Sequence, residues 1–276
     1  MRRVVIVLAD GLRPDAISPT HMPSLDALTR GYTMALHAKT VRPSRTAAAL
    51  TSLATGIAPS SHGLIEPGLA FLRKLMTLRP LGRELERAGL PTHIVAGDMH
   101  PAERAVVWAL VSAAGIGKFT GRGRRARDVA EAALAVARDQ ASGVLFVYLN
   151  DADVAGHAHG WMSPQYLDAA AELDVAIGAL SALADDSLMI VLADHGGGGG
   201  VSEHDHAEPH PVNDRIPLIL AGPDVTRRHQ LTRAVSLLDV PPTVLWWSGV
   251  EVPASYEGRV LSQAFTAVPR AAQAAV

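Results

Sequence analysis

Short apolar runs that stop at a polar residue recur along the chain. Val4 to Ala9 stops at Asp10, Gly143 to Leu149 at Asn150-Asp151, and Leu188 to Ala193 at Asp194; His93 to Ala96 and Ile216 to Leu220 look similar. Uninterrupted runs of this length, rich in β-branched residues, suit strands buried on both faces. Helical patterns lie between them over Pro80 to Ala88, Arg127 to Arg138 and Pro164 to Ala184, the last with alanine and leucine at helical spacing. Strand and helix in alternation predict an α/β fold: a three-layer sandwich with a mostly parallel central sheet and helices on both faces. Ligands in such folds gather beyond the carboxyl ends of the strands, where Asp10, Asp153 and Asp194 would converge. Strand order is not written in the pattern. No internal repeat and no linker divides the chain, so residues 1–276 read as one catalytic domain. The least regular stretch, Leu64 to Lys118, is the expected place for a small cap.

Composition narrows the chemistry. The chain has 276 residues, 48% of them hydrophobic, with a formal net charge of -2. That balance gives no reason to expect nucleic acid or an anionic membrane surface as partner. Cysteine is absent, which removes disulfides, thiolate ligands and cysteine nucleophiles. Of 12 histidines, six fall between His157 and His210. The start Met1-Arg2-Arg3 resembles the charged end of a signal peptide, but Asp10 closes the apolar run too early. No stretch approaches the ~20 apolar residues of a membrane span. The expectation is a cytoplasmic protein.

The histidine-rich half carries a metal-ligand pattern. Asp153 precedes His157 by four residues, so both reach one ion if the segment is helical. Asp194-His195 follows a strand and precedes Gly196 to Gly200, whose backbone freedom would allow both side chains to turn toward one site. His204, Asp205, His206 and His210 follow. Carboxylate and imidazole donors without thiolate suit zinc first, then manganese or iron, and suit magnesium poorly. A nucleophile is expected elsewhere, in Arg42-Pro43-Ser44-Arg45-Thr46, which reads as a loop entering an alanine-rich helix. Thr46 would lie in the first turn, where free amides and the helix dipole favour an anion. Its hydroxyl needs a metal or a base to become an alkoxide. The plainer role for Thr46 or Ser44 is to cap that helix. Gly121 to Arg127 is a basic loop, either merely solvated or an anion-attracting lid. Gly115 to Thr120 lacks the glycine spacing of a phosphate-binding loop.

Together these residues resemble the alkaline phosphatase superfamily in its nucleotide pyrophosphatase/phosphodiesterase branch. The resemblance rests on Asp10-Gly11-Leu12-Arg13-Pro14-Asp15; Thr46 with Thr55-Gly56, Pro59 and His62-Gly63; Asp153 to His157; and Asp194-His195-Gly196. His206 stands ten residues before the Ile216-Pro217 strand, and Leu238 to Leu245 resembles the family's C-terminal helix. It spans roughly residues 4–261 and implies an alkaline-phosphatase-like fold with two divalent metal ions. One ion would take Asp153, His157 and His206; the other Asp10, Asp194, His195 and the Thr46 oxygen. His204 and His210 are alternatives to His206, and Ser44 or Thr40 to Thr46. Where the sulfatase branch has its modified cysteine, this chain has Val41, and no asparagine stands in Leu64-Ile65-Glu66-Pro67 after His62-Gly63.

The resemblance implies hydrolysis of a phosphate diester or pyrophosphate bond through a phosphothreonine on Thr46, with a small-molecule phosphate ester as substrate. A phosphomonoesterase or phosphonate hydrolase would use the same residues, and a phosphomutase would return the phosphoryl group to a substrate. A non-catalytic metal-binding module is the alternative from a different class.

Overall fold

In the computed structural model, residues 3–65 and 69–267 are described; Met1 and Arg2, Glu66 to Gly68, and the tail from residue 268 lie outside them. The strands are β1 (Arg3–Ala9), β2 (Thr33–Lys39), β3 (Thr92–Ala96), β4 (Lys118–Gly121), β5 (Gly143–Leu149), β6 (Ser187–Leu192), β7 (Arg215–Ala221) and β8 (His229–Gln230). They form one sheet in the order β4-β3-β5-β1-β6-β7-β2-β8. All neighbouring pairs are parallel except those of β7, which runs against both β6 and β2. The sheet is therefore mixed but mostly parallel, as expected, with the Ile216 run as the reversed strand.

The centre of the sheet is the most apolar part. Every residue of β1 and β6 is buried, and β1 lies between β5 and β6, with Val5 opposite both Leu145 and Met189. Burying each such aliphatic side chain contributes roughly 1.5–3 kcal/mol. Helices pack in two groups. Pro23–Gly31, Ala126–Asp139 and Asp151–His159 all pack on the long helix Pro164–Leu180; Thr46–Thr55, Leu81–Arg87 and Val240–Trp247 pack on one another. With both faces of the inner strands buried, the two groups make the outer layers of the sandwich.

The stretch from Leu64 to Lys118 has two parts. It gives β3 and the helix Leu81–Arg87 to the main layers. Its helices Leu69–Leu75 and Pro101–Ala113 contact each other, and a separate apolar cluster of Leu64, Phe71, Leu75 and Ala114 lies in the same stretch.

A distant acid holds the start of the helix Pro23–Gly31, whose own cap residue, Met22, supplies no side-chain bond. The Asp174 carboxylate accepts the Leu25 N–H at 2.7 Å and the Ser24 N–H at 2.9 Å while only 3% exposed. Asp174→Ala would strand both amides, and its expected cost is about 2–3 kcal/mol, read as a lower midpoint in urea with an unchanged slope.

Candidate metal centre

Three adjacent strands deliver the acids. Asp10 directly follows β1, and Asp194 follows β6 by two residues. Asp153 lies in the first turn of the helix that leaves β5. Gly11 makes the turn after Asp10 with φ +67°, and a Cβ there would stand 2.9 Å from the Asp153 Cα, so only glycine lets the two segments approach. The glycines after His195 work mainly by close approach. A Cβ on Gly196 would stand 1.9 Å from the Val212 carbonyl oxygen, and one on Gly197 would stand 2.1 Å from the Trp161 ring; positive φ appears only at Gly198 and Gly200.

His195 is the hub. Its Nδ1–H donates to the Gly196 carbonyl at 2.8 Å, which fixes the ring. Its Nε2 lies 3.2 Å from Asp10 Oδ1, 3.5 Å from Asp194 Oδ2 and 4.0 Å from Asp153 Oδ1. The His206 ring stacks on it at 3.7 Å between centroids. The His206 Nδ1–H donates to the Ser44 carbonyl at 2.5 Å, and the Ser44 hydroxyl donates to the His206 carbonyl at 2.5 Å. This reciprocal clasp leaves the His206 Nε2 facing Asp153 Oδ1 at 3.9 Å. Two donor groups emerge among the described residues: Asp10, Asp194 and His195, and Asp153, His195 and His206, each with ligand atoms within 4.8 Å of one another. His157 stands outside both groups, more exposed, with Nε2 3.5 Å from Asp153 Oδ1.

Orphaned oxygens test whether cations fit here. Asp10 Oδ1, Asp153 Oδ1 and Asp194 Oδ2 are buried without a hydrogen-bond partner, a costly state for polar atoms unless a cation meets them. Their second oxygens at Asp10 and Asp194 are engaged: Tyr148 donates its hydroxyl to Asp10 Oδ2, and Asp194 Oδ1 accepts the His195 N–H at 3.0 Å. The electrostatics agree. Burial, with the charge of Asp10 added, pushes Asp194 well above the usual carboxylate pKa and Asp153 up to about 6. Burial opposes ionisation of Asp10 too, but the attraction of His195 beside it outweighs burial and holds Asp10 low. Burial also disfavours a charged His195, yet Asp194 and Asp10 raise it to about 10. Burial, then repulsion from His195, lowers His206 to about 4, so that ring is neutral and ligand-ready. Three acids thus surround one imidazole, and divalent ions held there would supply the positive charge that the cluster lacks. The donors fit the implied metals.

Thr46 meets this cage. It is the first residue of the helix Thr46–Thr55, whose cap residue is Arg45, so it does not cap the helix. Its Oγ1 lies 3.1 Å from His195 Nε2. No histidine is near it in sequence, and the fold supplies one. The alternative hydroxyls are engaged with backbone: Thr40 donates to the Asp194 carbonyl, and Ser44 to His206 as above. The alternative histidines also turn elsewhere. His204 Nδ1 pairs with the His157 carbonyl at 3.1 Å, and His210 Nδ1 accepts the Val212 N–H at 3.3 Å. His62 is buried away from the cage, bridging the Ser52 hydroxyl and the Leu64 N–H. Tyr148 and Tyr166 went unread in the sequence. Tyr166 donates to the Gly11 carbonyl at 2.9 Å, as does the Trp161 indole N–H at 2.9 Å.

A mostly parallel sheet with carboxylate–imidazole clusters and a hydroxyl over its carboxyl edge is an alkaline-phosphatase-like fold. The sequence pattern of the type I phosphodiesterase / nucleotide pyrophosphatase family matches residues 4–69 and 92–220. The chain belongs to that family. Over 146 residues it is 27% identical to the 2,3-bisphosphoglycerate-independent phosphoglycerate mutase of Rhodopirellula baltica, a match covering 51% of this chain and 26% of the mutase. The chain thus spans about a quarter of that curated relative. The phosphonate monoester hydrolase of Silicibacter pomeroyi superposes with a TM-score of 0.72 at 18% identity, over 96% of this chain and 77% of its own. An alkaline phosphatase superfamily protein from Vibrio parahaemolyticus gives 0.67 at 18% identity, over 95% and 69%. At these identities the solved structures establish a shared fold. No helix among the described residues is long and apolar enough to cross a membrane.

Proposed function

We propose that the chain, as a single catalytic domain, is a two-metal phosphoesterase that hydrolyses a phosphate diester or pyrophosphate bond of a small-molecule substrate. One observation carries this reading. The Thr46 hydroxyl stands 3.1 Å from His195 Nε2, at a cage whose three acids each present an unpartnered oxygen. Asp10, Asp194, His195 and Thr46 would hold one ion, and Asp153, His157 and His206 the other, zinc first and manganese second. Bound divalent cations supply Lewis-acid stabilisation of the phosphoryl oxygens and lower the pKa of a coordinated hydroxyl.

The residues themselves order the reaction. Thr46 Oγ1 gives up its proton to solvent and attacks phosphorus, the bond to the leaving oxygen breaks and that oxygen takes a proton from solvent, and a phosphothreonine forms. The free amides in the first turn of the helix Thr46–Thr55 face an anion there. Water then breaks the threonine–phosphorus linkage and restores the hydroxyl. Tyr148 orients Asp10 through its hydrogen bond, and the Ser44–His206 clasp ties the nucleophile's loop to a ligand.

The segment after His62-Gly63 runs Leu64-Ile65 without the asparagine frequent in diesterases. That favours a second reading, a phosphomonoesterase or phosphonate hydrolase using the same cage. Rates of the zinc- and manganese-loaded enzyme on aryl phosphate diesters, monoesters and phosphonate esters decide between them. A product without oxygen from labelled water would indicate transfer to a second substrate, as in a mutase. Asp153→Ala is expected to lose one of two metal equivalents by elemental analysis. Two ions still bound would contradict the assignment.

A further inference from the structure

We infer that a cleft beside the cage selects substrates carrying a second anionic group, a carboxylate or phosphate remote from the scissile phosphorus, which Arg124 and Arg125 receive. The inference rests on the phosphoesterase reading and adds a substrate class to it.

The cleft encloses about 670 Å³, within the range of small-molecule sites. It lies over the carboxyl ends of β3, β4 and β5, and it shares two walls with the cage. Tyr148 lines it while its hydroxyl bonds Asp10. The helix Asp151–His159 contributes the second wall: Asp153 and His157 approach each other at the cage, whereas Val154, Ala155 and Ala158 line the cleft. Val154 is 57% exposed, an apolar surface open to a ligand.

Charge on the rim is unevenly committed. Asp98 Oδ2 accepts the Gly123 N–H at 2.9 Å, Asp151 Oδ1 accepts the Ala126 N–H at 3.1 Å, and Glu172 pairs with Arg127 at 3.1 Å. Every acid of the rim therefore has a partner. Neither Arg124 nor Arg125 forms an ion pair among the described residues, and both are exposed at the cleft. Their backbone is nevertheless fixed. Both N–H groups point to Asp128 Oδ2, at 3.3 and 3.4 Å. The loop is clamped to the end of β3 by Asp98 N–H to the Gly123 carbonyl at 2.6 Å and by Arg122 N–H to the Ala96 carbonyl at 3.0 Å. Two guanidinium groups without an ion-pair partner, on a pinned loop, can pair in bidentate fashion with a carboxylate or a phosphate. Arg122, on the same loop, lines a neighbouring groove instead.

The test is calorimetric binding to the zinc-loaded full chain. The probes are ω-phosphonoalkanoates and α,ω-bisphosphonates of four to six carbons, each compared with the alkylphosphonate of equal length. At one length the second anion is expected to tighten binding at least tenfold. Arg124→Gln/Arg125→Gln should abolish that gain, and Arg122→Gln should retain it. A gain from either anion supports the inference and names the anion. No gain at any length, a gain that survives the double variant, or an equal loss in Arg122→Gln overturns it. Tighter binding without hydrolysis of any ester would keep the cleft and remove the phosphoesterase reading. Hydrolysis with no gain from a second anion would do the reverse.

Discussion

Thr46→Ala is expected to lower turnover of an aryl phosphodiester by at least about 10⁴-fold, the scale seen when a nucleophile is removed from an assembled site. Two features make the effect large. Thr46 Oγ1 is the hydroxyl that meets His195, whereas Ser44 and Thr40 donate to backbone carbonyls and cannot substitute without breaking those bonds. The substitution also removes no carboxylate or imidazole, so both metal equivalents should persist by elemental analysis. The phosphorylated residue should be trapped in the wild type by acid quenching and be missing from the variant. Near-normal turnover in Thr46→Ala would move the nucleophile elsewhere and reopen the mechanism.

Chelation is expected to lower the melting temperature by about 10 °C, with recovery on adding zinc. A ligand present at 100 to 1,000 times its dissociation constant stabilises the folded state by about 3–4 kcal/mol. Each kcal/mol moves the midpoint of a domain this size by roughly 2–4 °C. The direction follows from the cage. Without cations, Asp10, Asp153 and Asp194 crowd one another with only His195 to balance them. Thr46→Ala should keep most of this shift, which separates metal binding from catalysis. Asp194→Asn should lose much of it, because a buried carboxylate of the cage is gone. A melting curve indifferent to both chelator and zinc would remove the metal reading altogether.

The central strands were legible because they are buried on both faces. Val4 to Ala9 and Leu188 to Ala193 show this as unbroken apolar runs, and each ends at the acid that matters. Asp153 and His157 were legible through helical spacing. Strand direction was not: Ile216 to Leu220 is as apolar as the parallel strands at the centre of the sheet, yet it runs against both of its neighbours. β2 escaped notice because it lies one strand in from the sheet edge and its buried residues, Thr33, Ala35 and Ala38, are interrupted by half-buried and exposed ones with a register shift between Ala35 and Ala38. The contact between Thr46 and His195 joins residues 149 apart and has no local signature. Tyr148 left a fainter trace, a hydroxyl inside an otherwise apolar strand just before Asn150-Asp151.

The acids of the cage hang from β5, β1 and β6, the inner strands, whereas the arginine loop follows β4 at the outer edge of the same sheet. On the proposed reading, the ligands to the ions stand on inner strands and the anion-receiving arginines on an edge connection, while Tyr148 and the helix Asp151–His159 serve both. If Arg124 and Arg125 receive a remote anion as proposed, lengthening or recharging the outermost connection is expected to retune which molecule is accepted and to leave Asp10, Asp153 and Asp194 in place. A laboratory programme seeking new specificities would do best to randomise that border and leave the interior alone.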